Sequence, residues 1–434
     1  MNSVARFLLR TKLYWGLLVI FGTGILISPV NSRGVNIFLS PGNLSDVLRQ
    51  VSNNGIVAVG MTLVILTAGI DLSVGSVMAL GSVLCAMLLT KAGWTNASLM
   101  TVPVMTAGLF LVIGLTIQAL MRLSSSSPTR RFSREAYGGQ GLDQRKRAMG
   151  QAWVAWVAAA VVAGLVAWWA AAQVPGKFGV PGVLIAVPLV GLVVGTLNGI
   201  IIAKGRLQPF IVTLAMMLGI IGVARLVAGQ DTSVYPVYTG TNATEDFDLL
   251  RALIWGLLPV PGLFFLAAVI VFHLVLTRTT FGRYVATIGG NEQATRLSGI
   301  NTDRIKIAVY ALSGMLACLA GVLYTAQYRQ GKPDAGAGME LDAIAAVVIG
   351  GTSLMGGRGS VVGTLVGVLI FGFLGNILQL RNIDGNTQLV LKGLIILAAV
   401  LLQEGNLRLW LHSATVGFRR RPSEAANPAQ QAGD

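Results

Sequence analysis

The chain has 434 residues, of which 54% are hydrophobic and 11% charged, and its mean hydropathy is +0.72. A soluble domain carries about 25% charged residues, so the composition excludes an ordinary soluble enzyme and describes a protein that lies largely in a bilayer. The net charge of +15 would suit a nucleic-acid binder. The basic residues, however, sit in loops between apolar runs with no interleaved aromatics, as positive-inside topology requires, and this excludes nucleic acid as a partner.

The apolar runs are continuous, which selects helices over the alternating pattern of a barrel. The expected fold is all-α, a polytopic transmembrane helical bundle of about 10–12 spans. Residues 1–12 form a short basic N-terminus (Arg6, Arg10, Lys12) assigned to the cytoplasm, and 13–30 the first span. A signal peptide is the competing reading of that start, but no small-residue cleavage site follows cleanly. Further spans are expected at 47–67, 72–89 and 99–121, completing an N-terminal membrane segment over 13–121. Residues 122–150 are Ser/Gly-rich and basic, and read as a mobile cytoplasmic loop. The run 153–172 has Trp153, Trp156, Trp168 and Trp169 near its ends, a pattern of interfacial anchoring.

The second membrane segment, 151–404, continues with runs at 180–203, 209–228, 253–276, 307–327, 341–355, 360–380 and 388–403. In the first of these Gly191, Gly195 and Gly199 recur every four residues, placing small residues on one face for close helix contact. The polar stretch 230–248 is acidic and belongs outside by charge. The tail, 405–434, carries Arg419, Arg420 and Arg421 and a Pro/Ala/Gln ending, and reads as cytoplasmic and disordered. Both termini and the most basic loops then fall on one side. Cys85 and Cys318 lie inside apolar runs with no disulfide or metal spacing, and His273 and His412 read as interfacial residues.

Two segments share one grammar: an apolar run, a Gly-rich polar break, then a Gly-rich apolar run. The first break is AGIDLSVGS (68–76) and the second GGTSLMGGRGS (350–360). Broken helices in corresponding places of two halves suit a transport pathway, although glycines also serve tight packing alone. Asp71 at the first break is open to two roles. It can cap the following helix, or act as an ionisable pathway residue. Ser73 with Asn53, Asn54 and Asn198 on neighbouring segments would offer a sugar neutral donors and acceptors. The second break has the spacing Gly351-x4-Gly356, but Gly357 stands where a phosphate loop needs lysine and no strand precedes it, so no nucleotide site is expected.

Residues 277–306, TRTTFGRYVATIGGNEQATRLSGINTDRIK, are the one polar, charged segment between two long apolar runs late in the chain. Gly289-Gly290 is expected to break the chain, Asn291 to cap a short helix over 292–297 of roughly two turns, and Gly299 to stop it. The stretch GGNEQATRLSGI (289–300) resembles the cytoplasmic coupling segment of permease subunits in ribose/xylose-type ABC sugar importers, closest to the xylose type. The resemblance continues through residues 58–80, 199–217 and 340–367, in order and over most of the membrane part. The basic loop 122–150 and its flanking spans look like an addition relative to the shorter ribose-type chains.

The resemblance implies a non-enzymatic permease that docks Gly289, Gly290, Asn291, Glu292, Ala294, Arg296, Ser298 and Gly299 into a cleft of a separate ABC ATPase subunit. ATP and Mg would be bound by that subunit, with no cofactor in this chain. It further implies a second permease copy, a periplasmic sugar-binding protein, a location in the bacterial inner membrane lipid and a monosaccharide cargo. A secondary transporter driven by an ion gradient is the alternative of another class, and Asp71 is the feature that would serve it. A membrane enzyme has no metal cluster or nucleophile–base pair in the sequence to support it.

Overall fold

The structure is a computed structural model that describes residues 3–90, 179–229 and 234–403. The expected runs at 99–121 and 153–172, the loop 122–150 and the tail 405–434 lie outside the described residues. Residues Met1–Asp384 form one compact unit and Gly385–Asp434 a second.

In the first unit α1 (Ser3–Ile27) is followed by α2 (Pro41–Leu66), with Ser40 as N-cap and proline at the first helical position, where its missing N–H costs nothing. The basic start of the chain is helical within α1 from Ser3 onward. After the first break come α3 (Val74–Thr90), then α4 (Val180–Gly205) and α5 (Pro209–Ala228), the last two again opened by proline in the first turn. A short 3-10 turn, Glu245–Arg251, precedes α6 (Val260–Arg278). Next come α7 (Thr280–Gly290), α8 (Glu292–Leu297) and α9 (Thr302–Tyr328). The second break lies between α10 (Met339–Ile349) and α11 (Val361–Leu380). Two-residue strands complete the unit: β1 (Tyr235–Pro236) pairs with β4 (Gln330–Gly331), and β2 (Leu253–Ile254) with β3 (Leu258–Pro259), both antiparallel. The second unit contributes α12 (Gly385–Gln403).

Among the described residues five helices are long and apolar enough to cross a membrane: α4, α5, α6, α9 and α11. Helix α9 is the axis of the bundle and packs against α4, α3 and α2. The glycine stripe on α4 makes that packing possible. A Cβ on Gly191 would meet Gly314 and Cys318, one on Gly195 would meet the Tyr310 carbonyl, and one on Gly199 would meet Ile307 at 2.6 Å. All three therefore face α9. Helices within lipid gain little from hydrophobic burial against each other, and close backbone approach supplies the contact instead.

Two expectations are corrected by the structure, and the length of the helix in the run 341–355, open in the sequence, is given by it. The run 253–276 is not one helix, because a β2–β3 hairpin occupies its first turns. Trp255 and Gly256 take positive φ at the hairpin tip, and Pro259 and Pro261 start α6 late. The run 341–355 gives α10, an 11-residue helix of about 16 Å, which is half the hydrocarbon thickness. Gly289-Gly290 does not break the chain either. Both glycines end helix α7, and the break is Asn291 alone.

Candidate functional site

Helix α7 was not foreseen, although its pattern was present. Phe281, Val285 and Ile288 stand at i, i+4 and i+7 and are all buried, while Thr279 caps the helix by accepting from the Gly282 amide. This buried face holds α7 against the bundle and delivers α8 as a short projecting helix. Asn291 opens α8 by accepting the Ala294 amide at 2.9 Å. Ser298 closes it by donating to the Ala294 carbonyl, and Gly299 follows at φ +82°.

Helix α8 is clamped to the start of α9 by charge. Lys306 Nζ lies 2.5 Å from Glu292 Oε2, and Arg296 donates to Asp303 Oδ1 at 2.6 Å and to Thr302 Oγ1 at 2.9 Å. Leu297 at its end is 90% exposed. The sequence-level reading did not single out this apolar tip. All eight residues expected to couple lie on α8 and its two flanks.

The two breaks and the end of α7 meet backbone to backbone. The Gly357 amide of the second break donates to the Leu66 carbonyl at the first break, 3.0 Å away. A Cβ on Gly289 would collide with both of those atoms, so Gly289 sits directly on the hydrogen bond that joins the breaks. Gly356 lies in turn against Ala68. Three segments far apart in sequence thus form one clasp, and α8 is attached to it through Gly290. This arrangement puts both breaks and the expected coupling segment at one end of the bundle.

Asp71 lies deeper. The chain turns back after Leu66, and Asp71 Oδ1 accepts both the Ser73 amide (3.0 Å) and the Ser73 hydroxyl (2.6 Å). Its other oxygen accepts from Ser313 on α9 at 3.2 Å, and Asn198 on α4 donates to Ser73 Oγ at 2.9 Å. The capping expectation is corrected here. Helix α3 starts at Val74 and Ser73 accepts its first backbone bond from Val77, so Asp71 closes the turn ahead of the helix rather than capping it. Ser313 is eleven residues into α9 from Thr302 (313 − 302), about 16 Å along the axis. A carboxylate at that depth is costly unless hydrogen-bonded, and the three donors, from two serines, satisfy it.

Of the five expected pathway residues, Asp71, Ser73 and Asn198 therefore form one buried cluster. Asn53 does not join it. It sits midway along α2 and donates to Gln327 near the far end of α9, at 3.0 Å. Asn54 is half-buried on the same turn of α2. Ser313 went unnoticed in the sequence because it is a single polar residue inside an apolar run, and Gln327 because it stands at the end of one, before the polar stretch 328–334.

The far end of the bundle carries paired charges. Asp248 accepts from Thr239 at 2.9 Å and from Arg329 at 3.1 Å, beside the β1–β4 pairing. Partial burial raises its carboxyl, but the hydrogen bonds from Thr239 and Arg329 and the charges of Arg329 and Arg251 outweigh this and hold it below the usual carboxylate range. No group of three or more His, Cys, Asp or Glu that could hold a metal occurs among the described residues.

The family described as branched-chain amino acid transport system, permease component, matches residues 43–129 and 142–400. The chain is 38% identical over 387 residues to the ribose import permease protein of Escherichia coli strain K12, covering 87% of this chain and 90% of that one. It is 35% identical over 402 residues to the ribose import permease protein of Haemophilus influenzae strain Rd, covering 92% and 94%. Against the xylose transport system permease protein of E. coli K12 it is 32% identical over 402 residues, covering 87% and 86%. No solved structure matches. With a helical bundle built around a central span, a family match over most of its length and relatives aligned nearly end to end, the chain belongs to this family of membrane transport permease components.

Proposed function

We propose that the chain is the membrane-spanning permease subunit of an ATP-driven ABC importer that carries a monosaccharide of the ribose or xylose class across the bacterial inner membrane. The observation that carries this reading is its likeness, nearly end to end, to ribose and xylose permeases. Helix α8 then docks on a separate ATPase subunit, which binds ATP and Mg, and the exposed Leu297 is its apolar contact. The far end receives a periplasmic sugar-binding protein. A second copy of the permease completes the pathway. By the positive-inside rule both termini are assigned to the cytoplasm, as is the end of the first unit that carries Lys204, Arg206, Arg304 and Lys306.

The mechanism is a two-state one. ATP binding moves α8, and α7 passes that motion to both breaks through the clasp at Gly289, Leu66 and Gly357. ATP and the loaded binding protein must favour the same state, since a ligand shifts an equilibrium only by its differential affinity. Asp71 and Ser73 belong to the moving first break and, with Asn198 beside it, form its polar lining. Reconstitution of the complex with labelled D-ribose, D-xylose and L-leucine tests the reading. ATP-dependent accumulation of a pentose supports it, and accumulation of leucine alone refutes the sugar assignment.

An ion-driven secondary transporter is the second reading, favoured by the buried carboxylate of Asp71. Uptake that needs no ATP and vanishes in Asp71→Asn would establish it in place of the first.

A further inference from the structure

Beside the clasp lies a cavity of about 330 Å³, at the small end of ligand pockets. It opens between the turn of the first break, at Thr67 and Gly69, and the charged pair Glu292–Lys306. Its apolar wall is formed by Ile202 and Ile288. Tyr310 also lines it, and the Tyr310 hydroxyl is buried without a hydrogen-bond partner among the described residues. That hydroxyl reaches the first break, where a Cβ on Gly69 would meet it at 2.5 Å.

The chemistry of this lining favours a neutral polyol. Glu292 and Lys306 cancel each other's charge, so neither an anion nor a cation gains a net field. Together they still present both acceptor and donor groups, which hydroxyls can use. The apolar wall suits the C–H face of a sugar ring. A buried tyrosine hydroxyl without a partner costs free energy that a ligand hydroxyl would recover. We infer that this cavity, contained within one permease subunit, is a binding station for a monosaccharide on the α8 side of the membrane, with Tyr310 donating to a sugar hydroxyl and the Glu292–Lys306 pair at the mouth. The inference rests on the sugar-importer reading and deepens it. Because Glu292 belongs to α8, movement of that helix opens or closes the station, and release of the sugar is tied to the same motion.

The test is equilibrium binding of tritiated D-ribose and D-xylose to the full-length chain in nanodiscs, alone and in complex with its ATPase subunit, beside uptake by the reconstituted complex. The wild type is expected to bind the transported sugar saturably. Tyr310→Phe, which keeps the ring and the fold, should weaken binding about tenfold, the effect of one lost hydrogen bond. Gly69→Ala should weaken it as well, since the added methyl group displaces the buried hydroxyl, and Tyr310→Phe should keep the wild-type melting temperature. Two results overturn the station while leaving the importer reading intact: ATP-driven pentose uptake with no saturable binding to the permease, and unchanged binding in both variants. A complex that hydrolyses ATP but moves neither pentose overturns both.

Discussion

Gly289→Ala is the substitution that probes the clasp most sharply, because its neighbour Gly290 serves as a control. At Gly289 the added methyl group would collide with the Leu66 carbonyl and the Gly357 amide, whereas at Gly290 it would meet nothing within 4 Å. Overpacking a tight site costs about 1–3 kcal/mol. Parting the Gly357–Leu66 hydrogen bond leaves buried polar groups unpaired, at a further cost of about 1–3 kcal/mol. The expected penalty is thus about 2–6 kcal/mol for Gly289→Ala, and close to zero for Gly290→Ala in the isolated permease. Thermal denaturation in detergent gives the stability difference. ATPase activity and sugar uptake, measured together in proteoliposomes, give the coupling. The account expects Gly289→Ala to lower the melting temperature and to reduce sugar moved per ATP hydrolysed. Equal stability and equal coupling for the two variants would refute the clasp as the joint between α7 and the breaks.

Other perturbations follow from the same geometry. Glu292→Lys should uncouple or dissociate the ATPase subunit, and Glu292→Lys combined with Lys306→Glu should restore much of the α8–α9 clamp. That pair is worth about 1 kcal/mol or less by itself, so a large recovery of co-purification would point to α8 orientation rather than stability. Asp71→Ala strands the Ser73 amide and the Ser73 and Ser313 hydroxyls and should destabilise the protein by several kcal/mol, at about 1–3 kcal/mol per orphaned group. Asp71→Asn retains an acceptor and should preserve ATP-driven uptake with an unaltered pH profile. At the far end, the lowered carboxyl of Asp248 contributes stability above the ordinary aspartate value of about 3.9, and that contribution is lost as pH falls through its still lower folded value. Arg329→Gln should accordingly narrow the difference in melting temperature between pH 5 and pH 3 (about one unit either side of that value), and an unchanged difference would contradict the pairing.

The readable parts of this chain were those set by local chemistry. The Asn291 cap and the short α8 follow from an amide side chain before Glu292 and a glycine at 299, and the α4 stripe follows from four-residue spacing. Helix α7 was legible in Phe281, Val285 and Ile288, but the surrounding polar residues and the paired glycines suggested a loop. The β2–β3 hairpin was hidden because Leu253, Ile254, Leu257 and Leu258 are as apolar as a span, and only Gly256 and Pro259 mark the turn and its end. The clasp could not be read at all. It is a backbone contact among residues 66, 289 and 357, and no side-chain pattern records which glycine approaches which carbonyl. The same holds for Asp71: its position in a break was visible, but its partners on α4 and α9 depend on how those helices cross.

The most direct test of the central claim is uptake by the reconstituted complex with and without α8 intact. The account predicts that the chain co-purifies with an ATPase subunit, that pentose accumulation requires ATP, and that Glu292→Lys abolishes accumulation while the permease remains folded. ATP-independent sugar uptake by the chain alone, with Glu292→Lys fully active, would contradict it.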